Sequence, residues 1–143
     1  MLVGAFEHTI DDKNRLTLPA RFRESFAEGI VLTRGMDGCV YAYTRAEWDR
    51  QAGEFAALDS LDPDGRMLKR FFFASAADDQ PDRQGRITLP QALLRHAQLD
   101  RDVVVAGVYD HLEIWNRATW SEQLQSMEGS AEDVAQRIAA ARD

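Results

Sequence analysis

The chain has a single cysteine, Cys39, in 143 residues. That excludes an intrachain disulfide framework and fits a reducing cytosol. Its three histidines, His8, His96 and His111, lie far apart and match no metal-ligand spacing. No apolar run approaches the length of a membrane span, and the first residues lack the basic-then-apolar pattern of a secretion signal. No Walker loop or dinucleotide fingerprint occurs. Positive charge is also in short supply, with 17 Lys and Arg against 24 Asp and Glu and a net charge of −7. That balance works against indiscriminate nucleic-acid binding. With no nucleophile–base pair, metal cluster or cofactor motif, the chain reads as a non-enzyme without cofactor or metal. The rest is ordinary: 45% hydrophobic and 29% charged residues describe a globular protein.

What the chain does have is a duplication. Asp11-Asp12-Lys13-Asn14-Arg15-Leu16-Thr17-Leu18-Pro19 returns as Asp82-Arg83-Gln84-Gly85-Arg86-Ile87-Thr88-Leu89-Pro90 at a constant offset of 71. The run from Gly35 through Thr44-Arg45-Ala46-Glu47-Trp48 returns as Gly107 through Asn116-Arg117-Ala118-Thr119-Trp120 at an offset of 72. One residue has been inserted between. A fixed internal offset reveals architecture before any single residue does. Each copy is roughly fifty residues, marginal for a core of its own, so the halves are expected to share one.

Each copy reads as β-β-α-β-β. In the first, period-two alternation gives a strand over 4–10 with Phe6, His8 and Ile10 on one face. A turn follows at 11–14, then a strand from Arg15. Pro19 opens a helix carrying Phe22 and Phe26 inward, which Gly29 ends. Strands at 30–33 and 39–44 join across Gly35-Met36-Asp37-Gly38, and the Thr44-x-x-Glu47 capping box starts a short helix with Trp48. The second copy predicts strands at 72–78, 86–89, 103–108 and 111–115. It also predicts a helix over 90–97 with Leu93, Leu94 and Ala97 inward, and a final helix capped by Asn116. Between the copies, Asp62-Pro63 starts a connecting helix with Met67, Leu68 and Phe71 as its apolar stripe. The units are therefore 4–50 and 72–120, with a helical connector at 51–71. A polar tail follows at 121–143, whose Ser130-x-x-Asp133 cap and Val134/Ile138 pair make only a marginal helix. The class is α+β, mostly β, with the two units interleaved into one small barrel that hides their open edges.

The paired Asp-x-x-x-Arg-x-x-x-Pro motifs, their spacing and the chain length resemble the MraZ family, over about residues 1–120. The resemblance implies two tandem SpoVT/AbrB-like units on one chain, a swapped-hairpin barrel with a pseudo-twofold axis, and assembly of copies into a homo-oligomeric ring. It also implies transcriptional regulation by binding short direct repeats of double-stranded DNA upstream of the division and cell-wall gene cluster, in the cytoplasm and on the nucleoid. One departure is Asn14, where the family usually has Gly, as at Gly85. Asn tolerates a left-handed backbone, so the turn is expected to survive.

The residues support that role locally. Residues 11–23 carry Lys13, Arg15, Arg21 and Arg23 against Asp11 and Asp12, and 82–95 carry Arg83, Arg86 and Arg95 against Asp82, each net +2. Brought together about a twofold, Lys13, Arg15, Arg83 and Arg86 form the candidate DNA-binding set. Arginine pairs bidentately with guanine edges, and phosphate contacts give salt-dependent affinity. Asp11 and Asp82, four residues ahead of their arginines, are expected to brace them. Taken alone, Asp-x-x-x-Arg reads equally as an ion pair clamping a turn, and Arg21 and Arg23 read as solvent-facing. Two other functions stay open: an AbrB-like antitoxin, and an oligomeric scaffold without DNA binding.

Overall fold

Eight strands and four α-helices make up the computed structural model, which describes residues 1–142. The order is β1 (Leu2–Thr9), β2 (Arg15–Thr17), β3 (Ile30–Arg34), β4 (Val40–Thr44), α1 (Arg45–Ala56), α2 (Pro63–Phe73), β5 (Ala77–Asp79), β6 (Arg86–Thr88), α3 (Gln91–His96), β7 (Asp102–Tyr109), β8 (Leu112–Asn116) and α4 (Arg117–Arg142). Asp143, the end of the expected tail, lies outside the described residues.

The duplication becomes a topology. Six strands form one antiparallel sheet in the order β1-β7-β8-β4-β3-β5, and β2 pairs with β6 in a separate ribbon. Exchanging each strand with its counterpart four places along the series returns the same order read backwards. The pseudo-twofold therefore passes between β4 and β8, where Tyr41 faces Glu113, and between β2 and β6, where Leu16 faces Ile87. The units are interleaved: β1 of the first lies along β7 of the second from Leu2↔Tyr109 to Thr9↔Asp102, and β5 of the second pairs with β3 of the first. A bridge from Ile10 to Leu16 ties the ribbon to the end of β1.

Sheet and ribbon enclose one core, drawn from both copies. Leu16, Leu18, Phe22, Phe26, Ile30 and Leu32 of the first pack with Ile87, Leu89, Leu93, Val105, Leu112 and Ile114 of the second, and none is more than 1% exposed. Burying a side chain of this size stabilises by about 1.5–3 kcal/mol. Neither copy keeps that gain if pulled from the other, so the shared core follows from chain length. The class is α+β with a core built of strands.

Local expectations hold where capping or alternation is strong. Thr44 Oγ1 accepts the Glu47 N–H at 3.2 Å, Asp62 Oδ1 accepts the Asp64 N–H at 2.9 Å, and Asn116 Oδ1 accepts the Ala118 N–H at 2.9 Å. Phe22 and Phe26 point inward, but from two short 3-10 turns, Ala20–Phe22 and Glu24–Phe26, rather than a regular helix. Leu93, Leu94 and Ala97 are buried as predicted.

Four expectations need correcting. The strand predicted at 72–78 is only Ala77–Asp79, because Phe72 and Phe73 complete α2. A helix with an Asp N-cap and Pro at its first position runs on through the aromatic triplet, and Phe72 is held by stacking on Phe55 of α1 at 4.1 Å. The inward residue of α2 is therefore Phe72, while Met67 is 53% exposed and Phe71 lies under the Arg34 guanidinium at 5.5 Å. Helix α1 is not short but runs to Ala56. The C-terminal segment is one 26-residue helix continuous from Arg117, not a separate helix capped by Ser130. Its first turns dock through Trp120, 5.9 Å from Trp115, and beyond Leu124 every described residue is exposed.

Candidate nucleic-acid interface

Each Asp-x-x-x-Arg motif builds its loop the same way. Asp11 Oδ1 accepts the backbone N–H groups of Lys13 (2.9 Å) and Arg15 (2.8 Å), and Asp11 Oδ2 accepts Arg15 Nε (2.8 Å). Asp82 repeats this with Gln84 N (2.9 Å), Arg86 N (2.9 Å) and Arg86 Nε (2.7 Å). An aspartate satisfying two backbone donors ahead of it is turn chemistry, and here one carboxylate also orients a guanidinium. The fourth loop residue must turn left-handed, with φ +60° at Asn14 and +77° at Gly85. Asn14 adopts it as expected, and its N–H closes the turn onto Asp11 O at 3.1 Å. The backbone N–H of Arg15 is the largest reason that Asp11 titrates below its ordinary 3.8, and the backbone N–H of Arg86 does the same for Asp82.

The loops are locked to each other's units. Leu18 N donates to Gly85 O at 2.8 Å, and Leu89 N donates to Asn14 O at 2.8 Å, a reciprocal pair across the axis. Between them β2 and β6 run antiparallel, with Arg15 opposite Thr88 and Arg86 opposite Thr17. Leu16 and Ile87 point inward, so alternation places Arg15, Thr17, Arg86 and Thr88 on the outer face. Arg15 and Arg86 are diagonal neighbours on that face, about 7–8 Å apart at this register. Among the described residues each is engaged only through Nε, leaving Nη1 and Nη2 unengaged.

The arginines and their aspartates are thus brought together at the axis. Lys13 and Arg83 sit at the exposed loop tips, one at each end of the ribbon. They are not counterparts, since the offset of 71 matches Lys13 to Gln84 and Arg83 to Asp12. Sequence reasoning missed that Arg23 of the first copy lies across Gly85 of the second. Its Nε donates to Leu18 O at 3.0 Å, and a Cβ on Gly85 would fall 2.6 Å from that Nε. No spacing rule flags it, because its counterpart is Leu94.

The remaining chemistry-bearing residues are structural. Cys39 is fully buried, and burial first, then Glu113 and Asp37, push its thiol far above the ordinary range, so it is no nucleophile. His96 Nε2 meets Gly35 O at 3.0 Å. His111 lies between Asp110 Oδ1 at 2.8 Å and Glu113 Oε2 at 3.7 Å, beside the rings of Tyr41 and Tyr43. Among the described residues, no group of three or more His, Cys, Asp or Glu could hold a metal ion, and no helix is long and apolar enough to cross a membrane.

Fold and ribbon together define a class: a one-chain tandem of two small α+β units wound about a pseudo-twofold, with an aspartate-braced arginine pair where the axis leaves the surface. A family model described as "MraZ protein, putative antitoxin-like" matches residues 1–71 and again 72–141. Among the relatives that carry the name transcriptional regulator MraZ are those of three bacteria. The Roseiflexus castenholzii protein is 43% identical over 142 residues, covering 99% of each chain. Those of Heliobacterium modesticaldum and Thermomicrobium roseum are 42% and 43% identical, covering 96% of each chain, and 97% of this chain and 98% of the relative. The chain belongs to the MraZ family.

Proposed function

We propose that this chain is a sequence-specific, DNA-binding transcriptional regulator that reads base edges with Arg15 and Arg86, uses Asp11 and Asp82 to fix their direction, and touches phosphates with Lys13 and Arg83. The observation that carries this is the outward arginine pair at the axis, each held by Nε so that Nη1 and Nη2 are left for a guanine O6/N7 edge. A guanidinium already oriented loses less freedom on binding, and each bidentate pair contributes about 1–3 kcal/mol of discrimination. The name shared by the relatives supports the regulatory role. By the family resemblance, its sites are short direct repeats upstream of the division and cell-wall gene cluster including its own gene, and it works in the cytoplasm on the nucleoid.

The regulator acts as a homo-oligomer, a ring by the same resemblance. Leu124, Met127, Ala131, Val134 and Ile138 follow 3-4 spacing along α4, and the four larger ones are 37–54% exposed. That is a coiled-coil type of seam with no partner among the described residues. Several linked copies bind DNA tightly even if each binds weakly, which reconciles a net charge of −7 with useful affinity.

The test is an anisotropy titration with the DNA upstream of the protein's own gene and a scrambled duplex, at two salt concentrations. Selective binding that vanishes in the Arg15→Ala/Arg86→Ala double variant, with unchanged circular dichroism, is expected. Equal weak binding to both duplexes would sink the reading. It would favour the antitoxin reading, which the family's description and the α4 face, unpartnered among the described residues, support, and which a bound toxin protein would establish.

A further inference from the structure

The pseudo-twofold of the backbone is not a symmetry of charge. At one end of the ribbon stand Asp11, Asp12, Lys13 and Arg15, net zero. At the other stand Asp82, Arg83 and Arg86, and across them lies Arg23, for a net +2. Arg23 comes from the first copy in sequence, where it counts toward the first loop. The 3-10 turns after Pro19 carry it over to the second loop instead. Its Nε is committed to Leu18 O at 3.0 Å, its stem rests on Gly85, and it has no carboxylate partner among the described residues. Its field reaches His8, which titrates below its ordinary 6.5 through burial first and Arg23 second. The counterpart position holds Leu94, 7% exposed within the core, so the first loop has nothing equivalent.

We infer that Arg23 is a phosphate-contacting residue of the second loop, and that it gives the ribbon a fixed direction on DNA. This rests on the DNA-binding reading above. The reasoning is electrostatic: the guanidinium is fixed by one hydrogen bond, keeps Nη1 and Nη2 unengaged among the described residues, and lies over Gly85, next in sequence to Arg86, where a strand backbone would pass. The second-loop end anchors firmly, while the first-loop end, with its charges cancelled, contributes mainly the reach of Arg15. A complex of two unlike ends sits on its site in one orientation.

The experiment compares parent, Arg23→Gln and Arg23→Lys on the native upstream and scrambled duplexes over a salt series. Losing one phosphate contact lowers the slope of log affinity against log salt by about 0.9, which is about fivefold in affinity at 0.15 M salt. Arg23→Gln is expected to lose this equally on both duplexes, leaving the preference intact, while Arg23→Lys keeps the slope. A merely structural role would move the melting temperature and not the slope. Gln84→Cys, coupled to a DNA-cleaving reagent, is expected to cut a duplex holding a single copy of the repeat on one flank, and the buried Cys39 leaves the new thiol as the site of attachment. An unchanged slope in Arg23→Gln overturns the phosphate contact, and equal cutting on both flanks overturns the fixed direction. Both results leave the regulator reading standing if the parent still prefers its native DNA. A parent without that preference removes the regulator reading, and this inference with it.

Discussion

Exchanging Gly85 for asparagine separates two causes that usually travel together. The first loop already holds Asn14 at φ +60°, in the position where the second loop holds Gly85 at +77°. Backbone conformation alone therefore predicts a small cost for Gly85→Asn, under about 1 kcal/mol, since asparagine is among the few residues that visit this region routinely. Space predicts more. A Cβ on Gly85 would lie 2.6 Å from Arg23 Nε and 2.7 Å from its Cδ, at the base of the guanidinium rather than at its free Nη tip. Arg23 has to leave, and the hydrogen bond to Leu18 O leaves with it, a net loss of about 0.5–1.5 kcal/mol. The sum is about 1–2 kcal/mol, or a melting point lowered by about 3–6 °C in a chain of this size. Urea unfolding of Gly85→Asn, Arg23→Ala and the double variant measures the coupling, expected at about 1 kcal/mol. Strict additivity would falsify the placement of Arg23 over Gly85.

Two further outcomes follow from the same geometry. His111 is raised above its ordinary 6.5 because, against burial, its ring meets Glu113 and Asp110, so its contribution is complete below pH 6.5 and is lost as pH rises through the folded value. His8 is lowered, so its contribution is complete above 6.5 and is lost as pH falls through its own folded value. Thermal unfolding is expected to show a stability maximum near pH 6.5, with the alkaline slope absent in His111→Gln and the acid slope absent in His8→Gln. A parent curve flat from pH 5 to 8 would contradict both assignments. On α4, Met127→Glu/Ile138→Glu places charge in the exposed seam. Sedimentation is expected to show a smaller species with unaltered melting of the body, whereas an unchanged mass would remove the seam from assembly.

How much of this was legible in the sequence depends on whether a residue acts within its own copy. The constant offset from Asp11 to Asp82 made the duplication visible, and the family resemblance supplied the pseudo-twofold that puts Arg15 and Arg86 on one surface. Caps at Thr44, Asp62 and Asn116 are local hydrogen bonds and were read correctly. Phe72 and Phe73 misled because three successive aromatics suit a buried strand as well as a helix end, and only the stack on Phe55 decides. The α4 seam was half read: Val134 and Ile138 stood out, while Met127 and Ala131 were diluted by polar neighbours and Gly129. Arg23 was out of reach for a deeper reason. It works in the other copy's loop, and a one-dimensional count assigns charge to the copy that encodes it.

The pairing of β1 with β7 also bears on synthesis. Thr9 leaves the ribosome about a hundred residues before Tyr109, which at roughly 5–20 residues per second is an interval of about 5–20 s. Through that time β1 has no strand to join, and the half of the ribbon made first has no Leu89 to close its loop. Contacts this distant in sequence make for slow, late folding. A message cut short is therefore expected to yield no half-length competitor for DNA, because the surface that would compete does not exist until the second copy has been made.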